Sequence, residues 1–331
     1  MRIAVNGLGR VGRQFLRQLQ RTPGLELVAG NDLADPACVA HLVKHDSVHG
    51  RAPFQVGHDQ EGLLLDGKRV PLFQEPDPAR LPFGKLGAQV VIECTGRFNT
   101  REQARRHLRD GVARVIVAAP MADADLTVAM GINAELLRGA GPILSAGCPA
   151  THALALLLQA LDRAFGVEAA VATAVESLGN DQRILDLPHP DRRMARAAVM
   201  SMIPAPSEAA GCLGLLLPAL AGRIAVQAVR VPTPDVSLVD LCVTLARDAS
   251  APAVLAAFRA EAERLPGLVE ILDEPLVSVD LRGCEASCLV DPFLTRIMAP
   301  RFVKVFGWYD NETAYAARLR DLCLGLAEGA P

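Results

Sequence analysis

The stretch Asn6-Gly7-Leu8-Gly9-Arg10-Val11-Gly12-Arg13 follows an apolar run at residues 2–6 and opens a segment, residues 11–21, with helical apolar spacing. Its glycines have the spacing G-x-G-x-x-G. Gly7 permits a tight turn, Gly9 lets backbone approach a pyrophosphate, and Gly12 allows close helix–strand packing. The start of the helix offers free N–H groups and a positive dipole end to phosphates. The stretch therefore predicts the beginning of a Rossmann dinucleotide-binding domain.

An acidic residue, Asp32, follows the second predicted strand, which covers residues 25–29. It lies about 20 residues beyond Gly12, where such domains place the acid that binds the adenosine ribose. A carboxylate at this point accepts a hydrogen bond from a 2′-hydroxyl and repels a 2′-phosphate. Asp32 therefore favours NAD over NADP.

Alternating strands and helices fill the rest of the first half of the chain. Short β-branched runs at 88–92 and 115–117 are typical of buried parallel strands, and residues 36–44 and 100–110 have helical patterns. Residues 75–82, rich in Pro and Asp, are predicted to form a surface loop. Residues 1–147 are therefore predicted to form an NAD-binding α/β domain with a parallel sheet.

The pattern changes after Cys148 to longer strands separated by loops and helices. This predicts an α+β catalytic domain with a mainly antiparallel sheet over residues 148–311, followed by a C-terminal segment, 312–331, that returns to the NAD-binding domain. The predicted strands cover residues 167–176, 224–231, 237–246, 277–280, 286–290 and 302–307. The predicted helices cover residues 150–165, 204–222, 251–262 and 312–327.

Composition narrows the class of protein. A chain of 331 residues with 21% charged residues and a net charge of -3 is ordinary for two soluble domains, with no sign of nucleic-acid or membrane binding. No apolar run reaches the roughly 18 residues of a membrane span, and no signal peptide is expected. The eight cysteines are irregularly spaced, so they are predicted to be reduced thiols of a cytoplasmic protein without a metal site.

Several stretches along nearly the whole chain resemble the glyceraldehyde-3-phosphate dehydrogenase family, and the chain is also similar to erythrose-4-phosphate dehydrogenase. The glycine-rich stretch resembles the family's N-G-F-G-R-I-G-R. The further matches are D-S-V-H-G-R at 46–51, E-C-T-G-R-F at 93–98, N-D-Q-R-I-L-D-L-P-H at 180–189 in the segment called the S-loop, R-V-P-T-P at 230–234 and W-Y-D-N-E at 308–312.

This resemblance implies a largely intact cofactor site and a homotetramer, because the S-loop normally needs a neighbouring subunit. Pyrophosphate contacts are expected at Arg10 and Val11, and ribose binding at Asp32. The residues implied along the adenine and nicotinamide path are Thr95, Gly96, Phe98, Asn311 and Tyr315.

The resemblance places the nucleophile at Cys148, within L-S-A-G-C-P-A-T-H at residues 144–152. Cys148 is expected at the N-cap of a helix with Pro149 at the first helical position, where proline is favoured. A helix N-terminus stabilises a thiolate, so a lowered pKa is expected. The alternative is a buried, inert cysteine.

The catalytic base differs from the family pattern. The family has His in H-S-x-T-N-D-Q, and this chain has Glu176 at that place. An ionised Glu176 would raise the pKa of Cys148, but burial could make Glu176 itself a base. His152, four residues after Cys148, is either a helix histidine in polar surroundings or a substitute partner for the thiol.

The phosphate sites implied by the resemblance are also altered. Near the nucleophile the family's Ser and Thr are replaced by Gly147 and Pro149, and a Thr-Gly pair is replaced by Ser207-Glu208. A further Thr is replaced by Gly179. The family residues that remain are Asp181, Arg196 and Arg230, and Ser207 is also expected to bind substrate.

Three functions stay open on the sequence. The first is an NAD-dependent aldehyde dehydrogenase that forms a thiohemiacetal and a thioester on Cys148 and passes the acyl group to water. The second is the phosphorylating reaction on a sugar-phosphate aldehyde, with His152 or another group compensating for the lost base. The third is an NAD-binding pseudoenzyme with a structural or regulatory role.

Overall fold

Residues 1–328 are described by the structure, a computed structural model, and they fall into two units. The first unit contains Met1–Gly147 and the chain from Tyr315 onward, and the second is Cys148–Ala314. The strands of the first unit are β1 (Arg2–Asn6), β2 (Glu26–Asn31), β3 (His45–Asp46), β4 (Gly50–Arg51), β5 (Val56–His58), β6 (Gly62–Leu65), β7 (Lys68–Phe73), β8 (Val90–Glu93), β9 (Arg114–Val117), β10 (Leu126–Thr127) and β11 (Ile143–Ser145). Its helices are α1 (Arg10–Leu19), α2 (Pro36–Lys44), α3 (Arg101–Ala104) and, from Tyr315, the last helix of the chain (Thr313–Glu328).

The large sheet of the first unit has the strand order β10-β11-β9-β8-β1-β2-β7-β6-β5. The strands from β10 to β7 pair in parallel. Apolar side chains of β1 and β8 are buried, as expected for a sheet covered on both faces. Phe15 and Leu16 of α1 and Leu319 of the last helix belong to the same core. The predicted Rossmann fold of this part of the chain is confirmed.

Two predictions for the first unit were wrong in detail. No strand was predicted between residues 56 and 73, yet β5, β6 and β7 form an antiparallel meander at the edge of the sheet. Residues 100–110 do not form one helix. The four-residue α3 begins at a capping box between Thr100 and Gln103 and passes into a 3₁₀ turn, Arg105–His107.

The second unit contains the remaining strands and three helices. The strands are β12 (Val167–Glu176), β13 (Ile203–Ala205), β14 (Ile224–Arg230), β15 (Ser237–Leu245), β16 (Val269–Ile271), β17 (Cys288–Ala299) and β18 (Phe302–Tyr309). The helices are α4 (Pro149–Phe165), α5 (Ala209–Leu216) and α6 (Ala251–Arg264), and the last helix of the chain is α7. The sheet order is β13-β14-β12-β15-β18-β17-β16, with antiparallel pairing except at β14-β12 and β17-β16. The predicted α+β fold is confirmed.

Helix α4 packs closely on this sheet. A Cβ atom added at Gly307 of β18 would lie 3.0 Å from Leu157 Cδ1 of α4 and 2.8 Å from Cys288 Sγ of β17. The close approach explains why a residue without a side chain stands at this point of the strand.

Two segments of the second unit were predicted incorrectly. Residues 277–280 form part of a 3₁₀ turn, Ser278–Leu281, instead of a strand, and Val277 and Val279 are exposed. Residues 204–222 are not one helix, because β13 precedes α5 and a 3₁₀ turn, Pro218–Leu220, follows it. Within residues 1–328, no helix is long and apolar enough to span a membrane.

Candidate active site

The glycine-rich turn of the first unit is tightly closed. Gly7 has a φ of +92°, and a Cβ atom there would lie 2.8 Å from the backbone N of Thr95. A Cβ atom at Gly12 would overlap the carbonyl oxygen of Gly7. At Gly9, the N-cap of α1, an added Cβ would meet no protein atom within 4 Å. Two glycines therefore close the turn, and the third leaves open space beside the start of α1.

Asp32 lies directly after β2 and holds the turn from its other side. Its Oδ2 accepts a hydrogen bond from the N–H of Leu8 at 2.8 Å, and its Oδ1 accepts one from the N–H of Ala34 at 3.0 Å. Each carboxylate oxygen keeps a further lone pair that can accept a hydrogen bond. Arg10 and Val11 occupy the first turn of α1. The open space at Gly9, the helix start and this carboxylate fit a dinucleotide.

A buried polar network behind the turn was not anticipated from the sequence. The Glu93 carboxylate accepts hydrogen bonds from Asn6 Nδ2 at 2.5 Å and from the backbone N–H of Thr95 at 2.7 Å. His107 Nε2 lies 3.0 Å from Glu93 Oε2, and Asn31 Nδ2 donates to Asn6 Oδ1 at 2.7 Å. The network joins the carboxyl ends of β1, β2 and β8, so it fixes the backbone on both sides of Gly7.

Thr95, Gly96 and Phe98, which the resemblance assigned to the cofactor path, follow β8 in one loop. Thr95 Oγ1 donates to Glu93 Oε1 at 2.5 Å, Gly96 has a φ of +68°, and the ring of Phe98 meets the His107 ring edge-on. This loop is therefore anchored to the Glu93 network. His107 lay inside a segment predicted to be helical, where no feature of the sequence distinguished it from a surface histidine.

In the second unit, Cys148 is the N-cap residue of α4, and Pro149 is the first helical residue. The Sγ atom of Cys148 lies 2.9 Å from Thr151 Oγ1, a contact that sequence reasoning missed. Burial raises the pKa of the Cys148 thiol above its ordinary value of 9.0; the Thr151 hydroxyl opposes this, and the charges of Glu176 and Glu208 add to it. The direction is opposite to the expected lowering of this pKa, and burial of the thiol is its largest cause.

Glu176 is the last residue of β12 and lies beside Arg230, its partner in the parallel β14. Glu176 Oε2 is 3.1 Å from Arg230 Nε, and the two side chains are only 19% and 25% exposed. Burial raises the pKa of Glu176, Arg230 lowers it, and Asp181 raises it. The site therefore contains a partly buried carboxylate with a raised pKa at the position where the family pattern has an imidazole.

Gly179 leaves room for two neighbouring charged side chains, Asp181 and Arg230. A Cβ atom at Gly179 would collide with the Asp181 carboxylate and would lie 3.3 Å from Arg230 Nη1. Arg230 also donates from Nη1 to the carbonyl oxygen of Ser177 at 3.4 Å. Gly179 thus lies close both to Asp181 and to Arg230, the partner of Glu176.

Three further residues predicted for the site, His152, Arg196 and Ser207, differ in burial and in their hydrogen-bond partners. His152 is buried on the first turn of α4, and its N–H donates to the Cys148 carbonyl at 3.4 Å. Arg196 is on an exposed loop, where Nε lies 3.2 Å from Asp186 Oδ1. Ser207 Oγ accepts a hydrogen bond from the N–H of Ala209 at 3.3 Å, just before α5.

The two residues implied for nicotinamide binding, Asn311 and Tyr315, are each held by hydrogen bonds within their own unit. Asn311 Oδ1 accepts hydrogen bonds from Ser177 Oγ at 2.8 Å and from Ser237 Oγ at 3.0 Å, which leaves its amide N–H groups for other acceptors. Tyr315 donates from its hydroxyl to the carbonyl oxygen of Gly147 at 2.8 Å. Both roles at the nicotinamide stay predictions.

Comparison with known proteins assigns both units of the chain to one family. Residues 1–101 match the family "Glyceraldehyde 3-phosphate dehydrogenase, NAD binding domain", and residues 148–311 match "Glyceraldehyde 3-phosphate dehydrogenase, C-terminal domain". The chain belongs to the glyceraldehyde-3-phosphate dehydrogenase family. Its cofactor is NAD, and it is an oxidoreductase of the glyceraldehyde-3-phosphate dehydrogenase type.

Individual relatives are similar to this chain over nearly its whole length. Glyceraldehyde-3-phosphate dehydrogenase 1 of Bacillus cereus is 44% identical over 324 residues, 97% of each chain. The glyceraldehyde-3-phosphate dehydrogenases of Geobacillus stearothermophilus and Pseudomonas aeruginosa are each 42% identical over 330 residues, 99% of this chain and 98% of theirs.

Proposed function

We propose that this chain is an NAD-dependent aldehyde dehydrogenase that forms an acyl-enzyme on Cys148 and passes the acyl group to water. The observation that carries the proposal is the ion pair between Glu176 and Arg230, 3.1 Å apart at the ends of β12 and β14. It supplies a carboxylate as base, and it occupies a guanidinium that would otherwise bind phosphate. Pro149, at the first position of α4, has no N–H to offer an anion.

In the first stage, Cys148 and Glu176 act together on the aldehyde. The raised pKa of Cys148 means that the thiol is mostly protonated at neutral pH, so it must lose its proton as its sulfur attacks the carbonyl carbon. The thiol proton passes to the carbonyl oxygen, which becomes the hydroxyl of the thiohemiacetal. Glu176 then takes this hydroxyl proton and releases it to solvent, the carbonyl re-forms as the hydrogen on carbon leaves as hydride, and a thioester on Cys148 results. NAD, held by the turn at Gly7, Gly9 and Gly12 and by Asp32, supplies the hydride acceptor when it is bound.

In the second stage, Glu176 removes a proton from a water molecule, which adds to the thioester carbonyl. The bond between carbon and sulfur breaks, and a free carboxylic acid and the Cys148 sulfur are released. A carboxylate can serve as base for both stages because burial brings its pKa closer to neutrality. A base whose pKa lies nearer the working pH is the more effective proton acceptor.

Removing the base tests this assignment. Glu176→Gln should slow the NADH burst and lower the steady rate, each by about 10² or more, because both stages lose their base. Glu168→Gln, an exposed glutamate at the other end of β12, is the matched control and should leave both phases unchanged. A steady rate in Glu176→Gln equal to that of the unmodified protein would exclude Glu176 as the base for hydrolysis.

The names of the relatives favour a second function, the phosphorylating oxidation of glyceraldehyde 3-phosphate. It requires phosphate as acyl acceptor and another base in place of the family histidine. His152 is the residue in the first turn of α4 that could serve. This function is distinguished by an acyl phosphate as product, whereas the first gives a free acid. A protein that oxidises no aldehyde would instead be an NAD-binding pseudoenzyme.

We also propose a homotetramer. Large apolar side chains are exposed in the segment 184–202, including Ile184, Leu185, Met200 and Met202, the last two at 81% and 75%. Exposed apolar surface of this kind commonly marks a contact with another chain. Native mass spectrometry should find four chains per particle, and a monomer would contradict the proposal.

A further inference from the structure

His107 is a buried histidine that neither the proposed reaction nor the predicted cofactor contacts use. It ends the 3₁₀ turn Arg105–His107, and its side chain is 1% exposed although Arg105 and Arg106 beside it are exposed. Its Nε2 atom lies 3.0 Å from Oε2 of Glu93, the last residue of β8, whose side chain is fully buried. The two residues therefore form a polar pair inside the first unit.

The hydrogen bonds of Glu93 decide which nitrogen of His107 carries a proton. Glu93 Oε1 accepts hydrogen bonds from the backbone N–H and the hydroxyl of Thr95, and its Oε2 accepts one from Asn6 Nδ2. An ionised carboxylate only accepts hydrogen bonds, and it has about four lone-pair sites for them. The remaining contact is with His107 Nε2, which must then carry its proton and donate it to Glu93.

The other ring nitrogen of His107 is in apolar surroundings. Nδ1 is buried and makes no hydrogen bond within the described residues 1–328. The ring stacks on that of Phe83, with 6.2 Å between centroids, and meets the ring of Phe98 edge-on at 6.4 Å. A buried nitrogen without a partner is a cost that an apolar side chain of similar size would avoid. Packing alone therefore does not account for a histidine at this place, whereas a donor to Glu93 does.

The loop that Glu93 holds is the one to which the resemblance assigns cofactor contacts. Thr95, at the start of this loop, is bound to Glu93 by its N–H at 2.7 Å and by its hydroxyl. Phe98, further along the loop, packs against the His107 ring. His107 therefore supports residues 95–98 at both ends, through Glu93 at Thr95 and through its own ring at Phe98.

Glu93 also couples this loop to the glycine-rich turn. Asn6, which donates to Glu93, directly precedes Gly7, and Asn31 Nδ2 donates to Asn6 Oδ1 at 2.7 Å. A Cβ atom at Gly7 would lie only 2.8 Å from the backbone N of Thr95. A rotation of the Glu93 carboxylate would therefore disturb the loop and the turn together.

We propose that His107 is a positioning residue for NAD. Its Nε2–H fixes the Glu93 carboxylate and its ring supports Phe98, so that residues 95–98 and the glycine-rich turn have their binding conformation before the cofactor arrives. His107 acts through these residues and does not touch the cofactor. A loop that is already ordered loses less conformational entropy on binding, which raises the affinity for NAD. This role is independent of the aldehyde and of the acyl acceptor.

Two substitutions separate the N–H donor from the ring. His107→Gln keeps a side-chain N–H that can reach Glu93 and loses the ring, whereas His107→Phe keeps a ring and loses the N–H. Calorimetric titration with NAD, at a temperature where all variants are folded, should find the dissociation constant raised about tenfold in His107→Phe and less than about threefold in His107→Gln, because only the first removes a donor from a charged acceptor. If His107→Phe does not fold, His107→Asn, whose amide is too short to reach Glu93, replaces it with the same expectation.

Asn133→Leu is the control for a general loss of stability. Asn133 is a buried polar residue of the same unit, and its side chain donates to the Thr127 carbonyl at 2.9 Å and accepts the N–H of Ala129 at 3.0 Å. This variant should unfold at a lower temperature but keep the dissociation constant of NAD within about twofold. An equal rise of the constant in Asn133→Leu and His107→Phe would overturn the proposal, and so would an unchanged constant in His107→Phe.

Hydrogen exchange tests the positioning without any cofactor. Peptides that contain Thr95, whose amide donates to Glu93, should exchange about tenfold faster in His107→Phe than in the unmodified protein, with little change in His107→Gln. Peptides from β6 and β7 serve as reference and should not change. Faster exchange throughout the first unit, with no excess at Thr95, would show that His107 only stabilises the fold, and it would overturn the proposal.

A double variant tests whether His107 acts through Glu93. If it does, His107→Phe should raise the dissociation constant of NAD about tenfold in the unmodified protein but less than about threefold in Glu93→Gln, because the carboxylate that it orients is absent there. Equal factors in the two backgrounds would contradict the coupling between His107 and Glu93 on which the proposal rests.

Discussion

The turn around Gly7 and the site around Cys148 differ in how they depart from the family pattern. In the first, the glycines, Asp32 and the supporting Glu93 network form a closed backbone cradle that fits NAD. In the second, Cys148 stands where the resemblance places the nucleophile, and burial together with the charges of Glu176 and Glu208 raises its pKa. This comparison supports the proposal that cofactor binding and attack by sulfur are kept and that water is the acyl acceptor.

The difference also shows which physical feature each site depends on. The cofactor turn depends on backbone shape, since a single Cβ at Gly12 would overlap the Gly7 carbonyl. The thiol site depends on burial and charge, because burial is the largest cause that raises the pKa of Cys148, and the charges of Glu176 and Glu208 add to it. Substitutions that change shape should therefore affect the first site, and substitutions that change charge should affect the second.

The largest effect is expected from removing the nucleophile. Cys148→Ser should lower NADH formation from an aldehyde at least about a thousandfold, because serine lacks a comparably nucleophilic anion. NAD affinity, measured by fluorescence titration, should remain within about twofold because the glycine-rich turn is unaltered. Cys38→Ser, a change at an exposed cysteine, is the control and should keep full activity. Substantial activity in Cys148→Ser would contradict the assignment of Cys148 as the nucleophile.

Two glycine variants test whether the cofactor site depends on shape. Gly12→Ala should lower stability by about 1–3 kcal/mol and NAD affinity by about 10² or more, because the turn must open to admit a methyl group. Gly9→Ala should leave stability within about 0.5 kcal/mol, because no protein atom lies within 4 Å of the added methyl group. It should nevertheless weaken NAD binding. Thermal unfolding and NAD titration separate the two effects, and equal stability losses in both variants would contradict the account.

The pH dependence of the burst tests the electrostatics at Cys148. Attack needs the thiolate, and the pKa of this thiol lies above 9.0, so the burst rate should rise about tenfold per pH unit from neutral pH to beyond pH 9. Glu208→Gln should shift this limb to lower pH, because it removes a charge that disfavours the thiolate. Stopped-flow measurement of NADH gives the profile. A plateau that begins near neutral pH would mean that the pKa of the Cys148 thiol is lowered and not raised.

The smallest effect is expected from changes at Asp32, the residue implied to bind the adenosine ribose. NAD should bind better than NADP to the unmodified protein, and Asp32→Asn should narrow the gap about tenfold by removing the charge that faces a 2′-phosphate. Asparagine keeps an acceptor for the N–H of Leu8, so the turn should remain closed. Asp32→Gly also loses that acceptor and should weaken both cofactors. Equal affinities of the unmodified protein for NAD and NADP would remove the basis of this prediction.

Much of this architecture was predictable from local patterns. The strands around the glycine-rich turn are continuous apolar runs, and β12 was predicted with its observed bounds because apolar residues recur along it. The meander of β5 to β7 was missed because Gly57, His58 and the turn at Asp66 and Gly67 interrupt its apolar pattern. The turn at Ser278–Leu281 was taken for a strand because Val277 and Val279 alternate with polar residues.

The residues of the site could be predicted from the sequence, but the directions of their pKa shifts could not. The family resemblance identified Cys148 and Glu176, and Pro149 marked the helix start, but none of these could reveal that the thiol is half-buried, and burial is the largest cause of its pKa shift. The contact between Cys148 and Thr151, and the position of His107 against Glu93, depend on how loops and helices pack. Such packing leaves no periodic signal in the sequence.

The central claim is that water, and not phosphate, takes the acyl group from Cys148. The most direct measurement is the steady rate of NADH formation from one accepted aldehyde, with and without inorganic phosphate, together with analysis of the product. The account predicts the same rate in both cases and a free carboxylic acid as product. A rate that rises in proportion to phosphate, with an acyl phosphate trapped by hydroxylamine, would contradict it.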